Sequence, residues 1–434
     1  MRCRRKTRWK TRLTRRGRKV MEKSTRIVGI VGAVLLVAGA VGWGIQLSGG
    51  LLAHSGMTNI FLWGVMIAMF AFLVGFGAGS QLVASAIWLT GREDLRPLAR
   101  TAATWGLACV AGAGVAILAD LGALRNILAM IVGLNLRSPL AWDMIAMTAF
   151  IVLAVIELVA MARQSPRTQL WAVLAGVAAV ALQVVEGLLF STQSAHSWWA
   201  TPIMPVDFLA VAFVSGSALM LLIACVSGRL RNEGAAEAPR ADHAAPAEEG
   251  AGAAGAVSWL ARFCAWAIAA HLVLALADLA LVVAEGTPQA GGVLDVLGAY
   301  APLYASELVL PAIAMAILFS VGRKGSRPWC ATAAVLTMAG ILAHRMMLLY
   351  PAYNAPSLYL QLSGTPYTTG PYPISTGRYL DWDATFGLAT AYVPAPAELL
   401  ATLLPVGVAL LAAAVLTWMV RRAACPGAHA NCDL

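Results

Sequence analysis

The residues most able to do chemistry in this sequence are carboxylates and histidines that interrupt long apolar runs. A carboxyl group in apolar surroundings is costly to ionise unless a cation lies beside it. Without such a partner it is ready to hydrogen-bond a neutral ligand and to exchange a proton with it. The candidates, with one arginine, are Asp120, Asp143, Glu157, Glu186, Asp207, His271, Asp278, Glu307, His344, Arg345 and Glu398.

Asp143 is the best placed of these residues to accept a proton. The nearest basic residue along the chain is Arg137, so no sequence neighbour offers a charge to neutralise it. A quinol presents two hydroxyls that lose protons as electrons leave, and its isoprenoid tail keeps it in a bilayer. A carboxylate at the head group can act as its general base. By contrast, we expect Arg345 to form a structural ion pair with Glu398 or Glu307.

These residues must be positioned by helices that cross a membrane. The chain has 434 residues, 60% hydrophobic and 12% charged, with a mean hydropathy of +0.75. Soluble domains carry about 25% charged residues, so an ordinary globular enzyme is excluded. Apolar runs long enough to cross about 30 Å of hydrocarbon predict an all-α integral membrane protein. Its ten transmembrane helices are expected near residues 27–47, 60–90, 98–119, 140–162, 169–190, 203–227, 257–284, 300–321, 328–350 and 393–420.

The basic residues between these runs alternate in number from loop to loop. One set of loops is rich in Arg and Lys, whereas the opposite loops hold only Arg125, Arg137 and Arg378. Because basic loops stay in the cytoplasm, both termini are predicted to be cytoplasmic. On this orientation most of the ionisable residues fall in the outer halves of their helices. Glu157 falls in an inner half and His271 near mid-depth.

Three short matches relate the two halves of the chain. Both copies begin on the outer side, which predicts two four-helix bundles related by a parallel repeat, with flanking helices. The matched pairs are GSQL (79–82) with GSAL (216–219), ILADLG (117–122) with LALADLA (274–280), and SPLAWD (138–143) with PLYASE (302–307).

The first 20 residues hold eleven Lys or Arg and no acid, which accounts for the whole net charge of +10. Such a tail indicates orientation in the membrane or lipid binding, or else a true start at Met21. Binding of nucleic acid is the least favoured interpretation, and none is expected as a partner.

Composition also marks the segments outside the membrane. Segment 232–256 is rich in Ala, Pro and Glu and is predicted to be a disordered cytoplasmic linker. A Tyr-rich outer loop, 351–392, is either an aromatic belt at the membrane interface or a docking surface for another protein. We divide the chain into residues 1–26 (tail), 27–231 (first membrane half), 232–256 (linker), 257–420 (second membrane half) and 421–434 (tail).

Cysteine and histidine spacing bears on metal cofactors. The seven cysteines form no CxxC or CxxCH, so neither an iron–sulfur cluster nor covalent haem is expected in this chain. A b-type haem would need two axial histidines at matched depth, for which His271 and His344 are the available pair. Lone histidines in helices more often bond neighbours in the core, so we expect no haem and no metal.

Five segments occur in an order that points to a known family. They are WGVMIAMFAFLVGFGAGS (63–80), LADLGALRNILAMIVGLNLRSPLAWDMIA (118–146), WWATPIMPVDFLAVAFVSGSAL (198–219), AGILAHRMMLLYP (339–351) and AYVPAPAELL (391–400). The most specific stretch runs from DLG to SPxxWD. From about residue 27 onward the chain resembles the NrfD/polysulfide reductase membrane-subunit family, in its ten-helix branch.

The resemblance implies a membrane subunit without cofactors of its own that exchanges electrons with bound quinone or menaquinol in anaerobic respiration. It also implies a four-cluster ferredoxin-like iron–sulfur partner and a molybdopterin catalytic subunit, at the bacterial cytoplasmic membrane. The quinol pocket would lie near the outer face of the first bundle. Carried over by motif, Asp143 would contact the head group with Asp120 nearby. Gln183 stands where relatives often have a histidine.

Other polar residues are candidates for the pocket or for a proton path. An alternative function is proton translocation, with Asp278, Glu307 and Glu398 as outer stations and Glu157 on the inner side. A secondary transporter is less favoured, because such proteins keep their site near the midplane. The pocket or path candidates are Gln183, Glu186, His196 and Trp142, and the second-bundle polar cluster is Asp278, Glu307, His344, Arg345 and Glu398.

Overall fold

The structure is a computed structural model of the chain. The predicted linker, apart from residues 251–256, and most of the predicted outer loop lie outside the described residues. The described residues are 2–57, 61–121, 131–193, 196, 198–226, 251–354, 360–361, 368–369, 374–375, 386–387 and 392–424.

Ten helical segments are long and apolar enough to cross a membrane, in agreement with the prediction. Each lies within about five residues of a predicted span. The tenth combines the last two helices, which are separated by a break at Thr402. The helices are α1 (Arg2–Gly49), α2 (Val65–Leu89), α3 (Arg96–Asp120), α4 (Pro139–Ala162), α5 (Thr168–Ser191), α6 (Met204–Val226), α7 (Ala251–Glu285), α8 (Pro288–Ala299), α9 (Ala301–Ser320), α10 (Arg327–Asn354), α11 (Pro396–Ala401) and α12 (Leu403–Ala424).

Two features differ from the sequence prediction. Residues 251–256, assigned to the disordered linker, begin helix α7 because their Ala- and Gly-rich sequence runs directly into an apolar span. The short helix α8 was not predicted. Outside the long helices lie three 3₁₀ turns, at Leu51–His54, Glu93–Leu95 and Gly322–Lys324, and two antiparallel strand pairs. The strands are β1 (Leu360–Gln361) with β2 (Thr368–Thr369), and β3 (Ile374–Ser375) with β4 (Phe386–Gly387).

Proline and glycine mark several helix ends. Pro139 occupies the first position of α4, where its missing N–H costs nothing because that turn has no backbone acceptor for it. Gly286 follows α7 with φ +62°, and Gly325 precedes α10 with φ +75°, left-handed conformations that glycine adopts without strain. The start at Pro139 places Asp143 about one helical turn inside the outer end of α4. Here the outer end is the one opposite the arginine-rich loops.

The long helices pack as two groups around α2 and α6. Helix α2 packs on α3, α5 and α6, and α4 packs on α5 and α3. Helix α6 packs on α7 and α10, and α9 packs on α10 and α7. Helices α1 and α12 pack on each other, and α12 also packs on α3. These contacts are compatible with two groups of four, whereas the side on which the termini lie stays a prediction.

Helices α2 and α6 cross with their backbones in contact. A Cβ atom added at Gly79 would lie 1.8 Å from the carbonyl oxygen of Ala212, and one at Gly216 would lie 1.9 Å from the carbonyl carbon of Gly79. Small residues permit such an approach in membranes, where helix association depends on close packing. Gly79 and Gly216 are matched positions of the GSQL and GSAL repeat, so the two halves meet at equivalent points.

An aromatic cluster closes the outer end of the structure. Phe61 stacks on Tyr392 with 4.4 Å between ring centroids, and Tyr353 lies 4.5 Å from Phe61. Trp199 is fully buried and donates its indole N–H to the carbonyl of Leu348 at 2.6 Å. These contacts fix the outer ends of the helices that carry the polar residues described next.

Candidate functional site

Apart from Glu157, the buried ionisable residues of the helices form three clusters with neighbouring polar side chains at the outer end. Each draws its members from more than one helix, so the fold and not the sequence order brings them together. We name them the first-bundle cluster (Asp143, Gln183, Glu186 and Arg345), the histidine cluster (Asp207, His271, Glu307 and His344) and the Glu398 cluster (Asp120, Tyr392 and Glu398).

The first-bundle cluster joins α4, α5 and α10. Asp143, in the first turns of α4, is 1% exposed, and Glu186 on α5 is fully buried. The amide Nε2 of Gln183 donates to Glu186 Oε2 at 3.1 Å. Glu186 interacts electrostatically with both Asp143 and Arg345. It therefore stands between a carboxyl group and a guanidinium.

Several atoms of this cluster have no hydrogen-bond partner among the described residues. They are Oδ1 of Asp143, Oε1 of Gln183 and Oε1 of Glu186. Buried polar atoms in proteins are nearly always paired, and leaving one unpaired costs about 1–3 kcal/mol. The cluster thus offers hydrogen-bond acceptors to the hydroxyl groups of a small ligand or to water.

Arg345 does not form the predicted ion pair with Glu398 or Glu307, and that prediction is wrong. Its guanidinium is fully buried with Cζ 4.1 Å from the ring centroid of Phe208, and its three nitrogens lack hydrogen bonds to the described residues. Glu186, Asp207 and Glu307 act on it only through longer-range attraction. The helical turn between His344 and Arg345 explains this, because it points successive side chains about 100° apart.

The histidine cluster is the most tightly connected polar group. Nδ1 of His271 lies 2.9 Å from Oδ1 of Asp207, and Nε2 of His344 lies 3.1 Å from Oδ2 of the same residue. On its other side, Nδ1 of His344 lies 2.8 Å from Oε1 of Glu307. Helices α6, α7, α9 and α10 each contribute one residue, which ties the outer ends of four helices together.

The two imidazoles lie at matched depth, as predicted, and contact each other. Their ring centroids are 4.9 Å apart at an angle of 83°. Both rings turn toward Asp207, whereas axial haem ligands stand on opposite faces of a porphyrin. The pair is therefore arranged around a carboxylate and not around a plane.

One cavity adjoins the histidine cluster on its outer side, and a second cavity adjoins the first. The smaller, of about 30 Å³, is bordered by Thr201, Asp207, Asp278, Glu307 and His344 among others. That volume suits one water molecule or one small ion. The larger, of about 400 Å³, shares Thr201 and Asp278 with the first and extends to Glu285 at the end of α7. Thr201 donates its hydroxyl to Asp278 at 2.9 Å at this junction.

The Glu398 cluster is a structural joint. The Tyr392 hydroxyl donates to the Glu398 carboxylate and accepts the N–H of Val65 at 2.7 Å. Glu398 also accepts the N–H of Gly56 at 3.0 Å. Burial, and then the charge of Glu398, raise the pKa of the Tyr392 hydroxyl, which keeps it protonated and able to donate. Asp120 interacts electrostatically with Glu398.

Replacing Tyr392 with phenylalanine is expected to lower the free energy of unfolding by about 2–3 kcal/mol. The change removes a hydrogen bond to a charged group and leaves the Val65 N–H without its acceptor, while the stack on Phe61 stays. Thermal unfolding of the detergent-solubilised protein measures it. Tyr304→Phe is the control, because that hydroxyl makes no hydrogen bond to the described residues. If Tyr392→Phe and Tyr304→Phe had equal stability, the hydrogen bonds of Tyr392 would not have the structural role described here.

Comparison with known proteins assigns the chain to a family. The family model described as "Polysulphide reductase, NrfD" matches residues 53–357, more than two thirds of the chain. The chain belongs to the NrfD polysulphide reductase family. With its ten apolar helices, this NrfD protein is a multi-pass integral membrane protein.

Three relatives of this NrfD protein carry descriptive names. One of Halobacterium salinarum, assigned as a membrane subunit of dimethyl sulfoxide reductase, is 32% identical over 45% of this chain and 50% of its own length. A selenate reductase subunit of Mesobacillus selenatarsenatis is 22% identical over 46% of this chain and 56% of its own length. The Hdr-like menaquinol oxidoreductase integral membrane subunit of Archaeoglobus fulgidus is 24% identical over 38% of this chain and 42% of its own length. The chain thus spans about half the length of these relatives.

The NrfD fold separates some residues that the sequence grouped together. Asp120 lies with Glu398 and not in the first-bundle cluster with Asp143. Trp142 is 50% exposed toward the lipid-facing surface, with its indole N–H on the carbonyl of Leu136 at 2.9 Å. His196 packs in the aromatic cluster, 2.9 Å from the carbonyl of Ala352. Burial lowers the pKa of His196, and the bond to Ala352 partly opposes this.

Sequence reasoning missed two polar contacts in the inner half of the NrfD chain. Gln81 Nε2 donates to Glu157 Oε2 at 2.5 Å, and Ser85 donates to the carbonyl of Ala172 at 2.7 Å. Glu157 is fully buried. The available signal was Gln81 within the GSQL repeat, an amide in an otherwise apolar helix that needs a partner.

Proposed function

We propose that this chain is the quinol-interacting membrane subunit of a respiratory oxidoreductase. It passes electrons from the quinone pool to an iron–sulfur partner subunit on the outer face. The observation that carries the proposal is the unpaired Oδ1 of Asp143, buried beside Glu186 at the outer end of a lipid-exposed helix.

Helix α4 gives a lipid-dissolved ligand access to this carboxylate. Leu140, Trp142 and Ile145 are 38–50% exposed on the same turns of α4 that bury Asp143. Asp143 is therefore buried on a helix whose adjacent turns present exposed apolar side chains. A quinol, held in the bilayer by its isoprenoid tail, reaches the site sideways without entering water.

The chemistry follows from the donors and acceptors present. A quinol hydroxyl donates a hydrogen bond to Asp143 Oδ1, and oxidation of the ring to quinone releases two electrons and two protons. Asp143 accepts a proton from that hydroxyl as general base, an effect worth about 10²–10⁴ in rate. Glu186, the next carboxyl group, takes the first proton from Asp143, and the charge of Arg345 stabilises the Glu186 anion that receives it; Asp143 is then able to accept the second proton. The electrons leave to the partner's cluster.

The relatives support the assembly proposed here. Two are named as subunits of reductases, and the name of the Archaeoglobus protein includes menaquinol oxidoreductase. The last of these names leads us to propose menaquinol as substrate. From the sequence motifs quoted above we propose a four-cluster ferredoxin-like subunit and a molybdopterin catalytic subunit as partners, in the bacterial cytoplasmic membrane.

Binding of a fluorescent quinol-site inhibitor to membranes that contain the protein tests the site. We expect saturable binding that weakens about tenfold or more in Asp143→Asn, because a hydrogen bond to a charged group is replaced by a weaker neutral one. Asp295→Asn is the matched control, since that carboxylate on α8 is exposed.

Either of two results would contradict the proposed pocket. Wild-type affinity in Asp143→Asn would move the head group elsewhere, with Asp120 and Glu186 the next residues to test. Absence of saturable binding to both proteins would remove the support for quinol chemistry.

A second candidate function, proton translocation, is favoured by the position of Glu157. Asp143 and Glu157 are 14 residues apart on α4, about 21 Å along one buried face. With Gln81 bonded to Glu157, they place proton-exchanging groups in both halves of the membrane. Asp278, Glu307 and Glu398 would be the outer stations.

Glu157→Gln separates this candidate from electron transfer alone. If protons cross through Glu157, proteoliposomes of the assembled complex should release more protons on the outer side of the protein than the two that each quinol itself yields, and the variant should lose that excess. If the subunit only transfers electrons, the variant should oxidise quinol at the wild-type rate with an unchanged pH trace. The control is Glu285→Gln, at the exposed end of α7.

A further inference from the structure

We propose that Asp207, His271 and His344 bind one divalent transition-metal ion, of the zinc type, at the outer end of α6, α7 and α10. This site goes beyond the quinol function proposed above and does not depend on it.

The donor atoms are already gathered. The nitrogens of His271 and His344 that face Asp207 lie 2.9 and 3.1 Å from its two carboxylate oxygens. One donor atom from each of the three residues lies within 4.8 Å of the others. Around a tetrahedral zinc ion with bonds of about 2.1 Å, donor atoms are about 3.4 Å apart. Small rotations of side chains on three helices close that difference.

Glu307 supplies the support that metal-binding histidines usually have. It bonds Nδ1 of His344 at 2.8 Å, which leaves Nε2 of His344 facing Asp207. A carboxylate on the far nitrogen fixes the tautomer and orientation of a metal-bound imidazole. Nε2 of His344 has no well-aligned hydrogen bond to the described residues, and it faces Asp207 Oδ2 at 3.1 Å, so its deprotonated form would direct a lone pair at an ion held by Asp207.

Charge favours a cation here. Asp207, Asp278 and Glu307 border the same small cavity within the membrane-spanning part of the structure. Among the described residues, the permanent cation that interacts with Asp207 and Glu307 is Arg345, which also serves Glu186. Buried carboxylates in a membrane require compensating charge, and a divalent ion on Asp207 supplies it.

The cavities provide the fourth ligand position and a way in. The cavity of about 30 Å³ beside His344 and Asp207 accommodates one water molecule, which completes a four-coordinate site. The cavity of about 400 Å³ continues from Asp278 and Thr201 to Glu285 at the end of α7. On this proposal an ion enters from the outer side along these two neighbouring cavities.

Two imidazoles and one carboxylate narrow the choice of ion. Imidazole binds Zn²⁺, Cu²⁺, Ni²⁺ and Fe²⁺ well, whereas Ca²⁺ and Mg²⁺ prefer oxygen ligands only. Three protein ligands and one water at tetrahedral positions are typical of zinc. The ion would link α6, α7 and α10, so we expect it to raise the thermal stability of the protein.

Metal analysis of the purified full-length protein tests the site. We expect about one equivalent of zinc after washing with a weak chelator, and visible absorption bands of tetrahedral Co²⁺ when the stripped protein is titrated with Co²⁺. His344→Gln and His271→Gln should lose both signals. His196→Gln, with the same substitution outside the cluster, should keep both.

Glu307→Gln keeps the test informative if the ligand variants fail to fold. It retains all three ligands and should weaken Co²⁺ binding by about 10- to 100-fold. A folded wild-type protein that holds no zinc and gives no Co²⁺ bands would overturn the proposal. So would equal Co²⁺ binding by wild type and His344→Gln. Inhibitor binding at Asp143 is measured separately, so failure of one proposal is distinguishable from failure of the other.

Discussion

Asp143→Asn is expected to lower the turnover number for quinol oxidation by about 100-fold or more. Asparagine has the same shape and still accepts a hydrogen bond, so the head group should continue to bind, although more weakly. What it lacks is the capacity to take a proton, and general-base catalysis contributes about 10²–10⁴ in rate. The turnover number should therefore fall by more than the affinity for quinol does.

Steady-state oxidation of a reduced quinol analogue by membranes with the assembled complex measures this effect. Immunoblotting for the chain normalises each rate to the amount of protein. Asp295→Asn is again the control and should keep the wild-type rate, since its carboxylate lies on the exposed side of α8. Wild-type turnover in Asp143→Asn would exclude this carboxylate as the proton acceptor.

Gly79→Ala is expected to lower the free energy of unfolding by at least about 3 kcal/mol. The new Cβ would lie 1.8 Å from the backbone oxygen of Ala212, so two helices must separate and not merely repack a side chain. Overpacking a core usually costs about 1–3 kcal/mol, and here the obstacle is rigid. Alanine's better helix propensity returns only about 1 kcal/mol, so the clash dominates.

Thermal unfolding in detergent, followed by size-exclusion chromatography, measures the effect. Gly114→Ala is the matched control, because a Cβ there meets nothing within 4 Å, and it should be neutral or slightly stabilising. Gly216→Ala should act like Gly79→Ala, and the double variant should cost less than the two single costs together, because one separation relieves both clashes. Wild-type stability of Gly79→Ala would contradict the direct backbone contact.

The spans were predictable because bilayer thickness sets their length, and a run of some twenty apolar residues leaves few alternatives. Helix α8 was missed because 12 residues with two adjacent glycines resemble a loop in sequence. The sequence repeat showed that Gly79 and Gly216 occupy equivalent positions. It did not show that they touch, because equivalent positions in a repeat need not lie close together.

The site was harder to predict, because burial depends on the rotation of each helix. Trp142 and Asp143 are neighbours in SPLAWD, yet one is half exposed and the other is buried. The same uncertainty explains the wrong partner for Arg345. Depth can be counted along a helix, which is why His271 and His344 were matched. The contact of Asp207 with both histidines depends on how α6 packs against α7 and α10, which cannot be deduced from a single sequence.

Helix α10 places His344 and Arg345, which are consecutive, at two different clusters. His344 binds the carboxylates of the second bundle, and Arg345 extends over Phe208 toward Glu186. Because one rigid helix carries both side chains, a small rotation of α10 about its axis would displace His344 and Arg345 together. Occupancy of the histidine cluster would thereby be communicated to the carboxyl groups around Asp143 through a single rigid element.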